Sequence, residues 1–195
     1  EKDNQPQLSE ALASLLDTNA ARSDQLHFWN ESSEASLLRR TAAVLADPLA
    51  SSALITCTSH EIKVAGLGVD QCSLALIEDD VPRDVANALL RIASSVVMPI
   101  AIYQEVARDS FLIEQKTKIW LVGEAKEAPD GDFAGWVRQT TPDEIEISQP
   151  CGTTLSFSQR SASGDAETLI AAGFALDAST STISKSLLLL EEKTE

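Results

Sequence analysis

The chain has 195 residues, 44% of them hydrophobic and 23% charged, and its 30 acidic side chains against 15 basic ones leave a formal net charge of −15. That apolar content excludes a disordered tail, and nothing in the composition suits a collagen or coiled-coil fibre. A surface this acidic repels phosphate backbones and argues against sequence-independent binding of DNA or RNA, and no apolar run reaches the ~18–20 residues that cross a bilayer.

In chain order, Leu8, Leu12, Leu15 and Leu16 fall on one helical stripe. A polar link over 22–32 carries His27, Phe28 and Trp29, an aromatic cluster suited to docking a partner or to plugging the edge of a core. A second helix is predicted over 33–46, with Leu37, Leu38, Thr41, Val44 and Leu45 inward, and it stops at Asp47 because a residue before proline avoids the helical region. Residues 53–58, 61–67 and 72–78 read as apolar, β-branched strands separated by turn signals. The Gly66-x-Gly68 pair lacks the third glycine and following helix of a phosphate cradle, so it reads as a turn.

Asp80 is a natural N-cap and Pro82 suits a first helical turn, which opens a helix over 81–95 burying Val81, Val85, Ala88, Leu89 and Ile92. Strands follow over 98–105, 109–114 and 118–126, then a short helix over 132–139. Residues 144–148 and 153–159 alternate apolar and polar as half-buried strands do. A helix over 165–176 is expected to be soft because Gly173 lies within it. Residues 187–190 end the ordered chain as a last strand or helical turn.

These elements predict an α+β fold: N-terminal helices, then a mostly antiparallel sheet of about five to seven strands with the crossover helix 81–95 packed on one face. Residues 1–50 read as a helical arm and 51–195 as the α+β domain, or the whole as a single domain. Cys57, Cys72 and Cys151 are too few and too odd in number for a disulfide scaffold, and with His60 they lack the paired short spacings of a zinc site. They are expected to be reduced thiols in a cytoplasmic, reducing compartment, with Cys57–Cys72 the one bridge left open. The chain opens on Glu1 and its only methionine is Met98, as expected of a fragment or processed product, so an upstream targeting segment is compatible with it.

One stretch carries chemistry. If 109–114 and 118–126 form a hairpin turning at Lys116-Thr117, Asp109 falls opposite Glu124, and opposed residues hold their Cβ atoms ~4.5–5.5 Å apart. Two carboxylates so placed suit a shared Mg²⁺ or Mn²⁺ ion. Lys126, two residues beyond Glu124, shares its face and is placed to orient or help deprotonate a metal-bound water. This layout is similar to the catalytic hairpin of the PD-(D/E)xK nucleases over about residues 81–148, with Arg108 where that family usually has proline. The resemblance implies Asp109 and Glu124 as metal ligands and Lys126 as the activating residue of a metal-dependent nuclease or phosphodiesterase.

The scarcity of histidines and the excess of carboxylates favour a different expectation: a soluble, non-enzymatic, acidic protein-interaction module. Such a module needs no cofactor and binds another protein with a basic surface, as secretion chaperones, immunity proteins, accessory proteins and assembly subunits do. Its leucine-rich N-terminal helices offer a face for a partner or for a homo-oligomer, and His27, Phe28 and Trp29 are its candidate interaction residues.

Overall fold

A computed structural model of the chain describes residues 5–16, 20–22, 33–106, 117–124, 130–158 and 164–191. The chain divides into two compact units, Glu1–Asp70 and Gln71–Glu195. Among the described residues no helix is long and apolar enough to cross a membrane.

In the first unit, helix α1 (Gln5–Leu16) buries Leu8, Leu12 and Leu15 of its predicted stripe, and α2 (Ser33–Leu45) buries Leu37, Thr41 and Val44, whereas Leu38 and Leu45, expected inward, are exposed. Strands β1 (Ala20–Arg22) and β2 (Ser52–Leu54) form a short parallel pair. The strand expected over 61–67 is a helix, α3 (Ser59–Ala65). A capping box overrides its β-branched composition. Thr58 Oγ1 accepts the Glu61 N–H at 3.2 Å, and the Glu61 carboxylate accepts the Thr58 N–H at 2.8 Å. Two otherwise orphaned donors are thereby satisfied, which starts the helix.

The second unit is a mixed six-stranded sheet in the order β3 (Cys72–Leu76), β4 (Ala93–Pro99), β5 (Lys118–Val122), β6 (Gly135–Thr141), β7 (Glu144–Ser148), β8 (Thr154–Ser158). The α+β class and the crossover helix, α4 (Arg83–Ile92), match expectation. The strand directions do not: β3, β4, β5 and β6 are parallel neighbours, and only β6–β7 and β7–β8 are antiparallel. Parallel neighbours need a long crossover, and β3–β4 has one in α4.

Three further expectations are corrected. The strand placed over 98–105 lies earlier, as β4, and the chain turns directly into helix α5 (Ile100–Val106). The helix placed over 132–139 is strand β6, whose Trp136 and Val137 pair beside Leu121 and Val122 of β5. Asp80 does not cap α4. It lies in the left-handed region at φ 66, and the Pro82 carbonyl accepts the first N–H groups, from Val85 and Ala86.

Each face of the sheet is covered. On one, Val96, Met98, Ile119, Leu121 and Trp136 pack with Ala86 and Leu90 of α4 and with Tyr103 and Val106 of α5. On the other lies α6 (Gly164–Ala175), followed by α7 (Thr180–Glu191). Phe174 of α6 packs its ring 5.8 Å from Trp120 of β5 and 6.2 Å from Phe157 of β8. Sandwiched between the sheet and α7, α6 is apolar nearly all round. Residues 187–190 belong to the helix α7.

Candidate functional site

Of the metal-binding triad drawn from the sequence, Asp109 and Lys126 lie outside the described residues, as do His27, Phe28 and Trp29. Glu124 is described: it is exposed, two residues beyond the carboxyl end of β5 and directly after Gly123, whose φ of 109 suits a residue without a Cβ. The ribbon that would set Asp109 opposite Glu124 needs a free edge on β5. Both edges are taken, with β4 pairing over 118–122 and β6 over 120–122. The hairpin geometry is therefore replaced by a central parallel strand. Two side chains fix its ends: the Trp136 indole N–H donates to the Gly123 carbonyl at 2.9 Å, and the Thr117 hydroxyl to the Ala93 carbonyl at 3.1 Å.

The carboxylate that does interact with Glu124 is Glu167, on the first turn of α6. Glu167 is buried, and its Oε1 accepts the Gln139 N–H of β6 at 2.6 Å. Burial raises its pKa, the Gln139 hydrogen bond opposes that, and the Glu124 charge adds to it. Sequence reasoning missed Glu167. The available signal was an acid in an otherwise apolar helix, which a buried hydrogen bond explains.

Strand register places these two among more acids. Because β3 to β6 are parallel, their carboxyl ends lie along one rim of the sheet. Glu78, Asp79 and Asp80 follow β3, Glu124 follows β5, Asp143 lies in the β6–β7 turn, and Glu144 starts β7. Asp165 and Glu167 open α6, whose start is fixed to this rim by the Gln139 bond. Burial also raises the Asp165 pKa. Helices α4 and α5 start here too, so three helix N-termini face the acids and offset part of their mutual repulsion. Arg83 opens α4 at the same rim, and Arg138 pairs with Glu146 at 3.5 Å while stacking on the Trp136 ring at 4.7 Å. At the opposite rim stand Arg91 in the last turn of α4 and Lys118 at the start of β5. Acids stand at that rim too: Asp130 and Asp132 lead into β6, and Asp177 follows the end of α6, where the Ala175 carbonyl accepts from Ser95.

A second feature is an open groove of about 710 Å³ between β8 and α7, with Leu155, Phe157, Leu187 and Leu188 in its lining together with Asp143 and Lys185. In the first unit, Glu61 also accepts from Arg40 of α2 at 2.9 Å. Burial alone would raise the Glu61 pKa, but the Thr58 and Arg40 hydrogen bonds and the Arg40 charge outweigh it, and the net shift is downward.

All three cysteines are free thiols. Burial pushes Cys57 up to about 11, with Glu61 adding and Arg40 opposing, and burial raises Cys72 as well. Cys151 is exposed on the β7–β8 turn and lowered, chiefly by its Thr153 hydrogen bonds. Among the described residues no group of three His, Cys, Asp or Glu side chains is arranged to hold a metal ion. No protein-family model matches the chain, and no curated protein is significantly similar to it.

Proposed function

We propose that the chain is a non-enzymatic, acidic interaction module that binds a protein with a basic surface, in a chaperone-like, immunity-type, accessory or assembly-subunit role. The observation that carries this reading is the convergence of carboxylates, Glu78, Asp79, Asp80, Glu124, Asp165 and Glu167, on the carboxyl-end rim of the parallel strands. Helix N-termini compensate part of that charge, and a cationic partner compensates the remainder. A rim of one sign also steers such a partner in solution and raises its association rate. His27, Phe28 and Trp29 supply the apolar anchor that charge alone does not, since aromatic side chains dominate interface energetics. The three free thiols fit a reducing, cytoplasmic setting.

The test is retention from an extract of the native source on the immobilised chain, at low and at high salt. A retained protein should elute as salt rises. It should bind more weakly to a variant carrying Glu78→Gln, Asp79→Asn, Asp80→Asn and Glu124→Gln, and to Trp29→Ala. Nothing retained at low salt, or retention indifferent to neutralising the rim, removes the proposal.

A further inference from the structure

Strand β8 ends the sheet, and no described strand pairs with its outer edge. An unpaired edge presents a row of N–H and C=O groups to any approaching strand, and proteins usually blunt it with charge, proline or a bulge. β8 has none of these. Its sequence, Thr-Leu-Ser-Phe-Ser, carries no charge and no proline, and its register with β7 runs unbroken from Glu144↔Ser158 to Ser148↔Thr154. Leu155 and Phe157, two residues apart, share the face toward α7. Leu155 is 39% exposed, and Leu188 of α7, across the groove, is 55% exposed.

Charge indicates what covers this edge. The chain has 30 acidic residues, yet residues 148–164 and 178–190 contain none. β8 and nearly all of α7 come from those two stretches. β8 and the groove-facing turns of α7 bring no acid of their own, and in the groove lining Asp143 is accompanied by Lys185, so this strip attracts a basic partner less than the rim does. For a second copy, which carries the same net charge, an acid-free strip is where two chains approach with least repulsion.

We infer that the chain self-associates through β8, two copies pairing antiparallel, edge to edge, about a two-fold axis at Ser156. In that register Ser156 faces Ser156 of the second copy, Leu155 faces its Phe157, and Thr154 faces its Ser158. The contact is isologous, so it closes after two copies and does not propagate into a filament. It satisfies both edges at once, joins the two sheets, and brings each Leu155 toward Leu187 and Leu188 in the groove of the other copy.

Light scattering across a concentration series reads the oligomeric state directly, and a cross-link reads the register. Wild type should show twice the mass of one chain. Ser156→Cys, made with Cys151→Ser to remove the exposed native thiol, should oxidise to a disulfide-linked dimer, because opposed Cβ atoms lie within disulfide reach. Thr140→Cys in the same background, exposed and far from the axis, should not. Leu155→Glu places acids across the new strand pair and should raise the dimer dissociation constant by more than about tenfold, with a cooperative melt showing that the monomer still folds. The cross-link needs no destabilising change, so it decides the matter even if Leu155→Glu misfolds. A single-chain mass at every concentration overturns the inference. So does a dimer in which Ser156→Cys cross-links no faster than Thr140→Cys.

Discussion

Two buried carboxylates, one in each unit, have opposite shifts for a common reason: what each is given in exchange for water. Glu61 receives the Thr58 N–H and the Arg40 guanidinium, so its pKa falls although burial opposes this. A lowered folded pKa contributes stability that is present above the unfolded carboxylate value and lost as pH falls through the folded one. Glu61→Gln should therefore cost about 1.5–3 kcal/mol at neutral pH, the worth of hydrogen bonds to a charged group. In denaturant titrations that deficit should shrink toward acid pH. Glu167 receives a single backbone N–H and faces Glu124, so its pKa rises. For a raised carboxylate the sign reverses: stability falls as pH climbs from the unfolded value through the folded one, and above both the full penalty applies. Glu167→Gln keeps an oxygen acceptor for Gln139 and removes the charge. Its melting temperature should exceed that of wild type at neutral pH and converge with it under acid conditions, with Glu124→Gln moving stability in the same direction. A Glu167→Gln protein that melts lower at neutral pH would show that the charged hydrogen bond outweighs burial. Neither role follows from residue type alone, although the Thr58-x-x-Glu61 spacing is visible in the sequence as a capping signature.

At the scale of elements, packing and propensity disagree at Gly173. Mid-helix glycine costs about 1 kcal/mol relative to alanine, so the sequence suggests a weak point in α6. The structure gives the residue a purpose: a Cβ there would lie 2.5 Å from Ile183 Cγ1 of α7. Gly173→Ala should therefore destabilise the chain by about 1–3 kcal/mol, the usual cost of overpacking, measured as a lower denaturation midpoint. Stabilisation would mean that α7 shifts freely. The helix ends in a Schellman turn, with the Ala178 N–H on the Gly173 carbonyl, the Asp177 N–H on the Phe174 carbonyl, and Asp177 at φ 55. Asp177→Gly should relieve that conformation and stabilise by up to about 1 kcal/mol. The elements read correctly from sequence, such as α1, α2, α4, β7 and β8, each show an apolar period to one face. Those read wrongly, α3, α5 and β6, are short segments of seven residues each whose conformation was decided by a cap, an adjoining strand end or a parallel neighbour.

For the molecule as a whole, charge makes the governing prediction. With a net charge of −15, self-repulsion opposes the folded state, so added salt should raise the melting temperature while it weakens partner binding. At matched ionic strength Mg²⁺ or Mn²⁺ should stabilise no more than Na⁺. An excess shift that Glu124→Gln abolishes would return Glu124 to the role of metal ligand. The amino-acid sequence by itself determined the acidity, the α+β class, the amphipathic helices and the alternating β-strands, because these are properties of composition and local period. Only the tertiary structure decided that β5 lies between parallel neighbours, that Glu167 stands beside Glu124, and that carboxylates from β3, β5 and α6 meet at one rim. Strand direction and order depend on which distant segments pair across long crossovers, and a local pattern of apolar and polar residues is the same whichever neighbour a strand acquires.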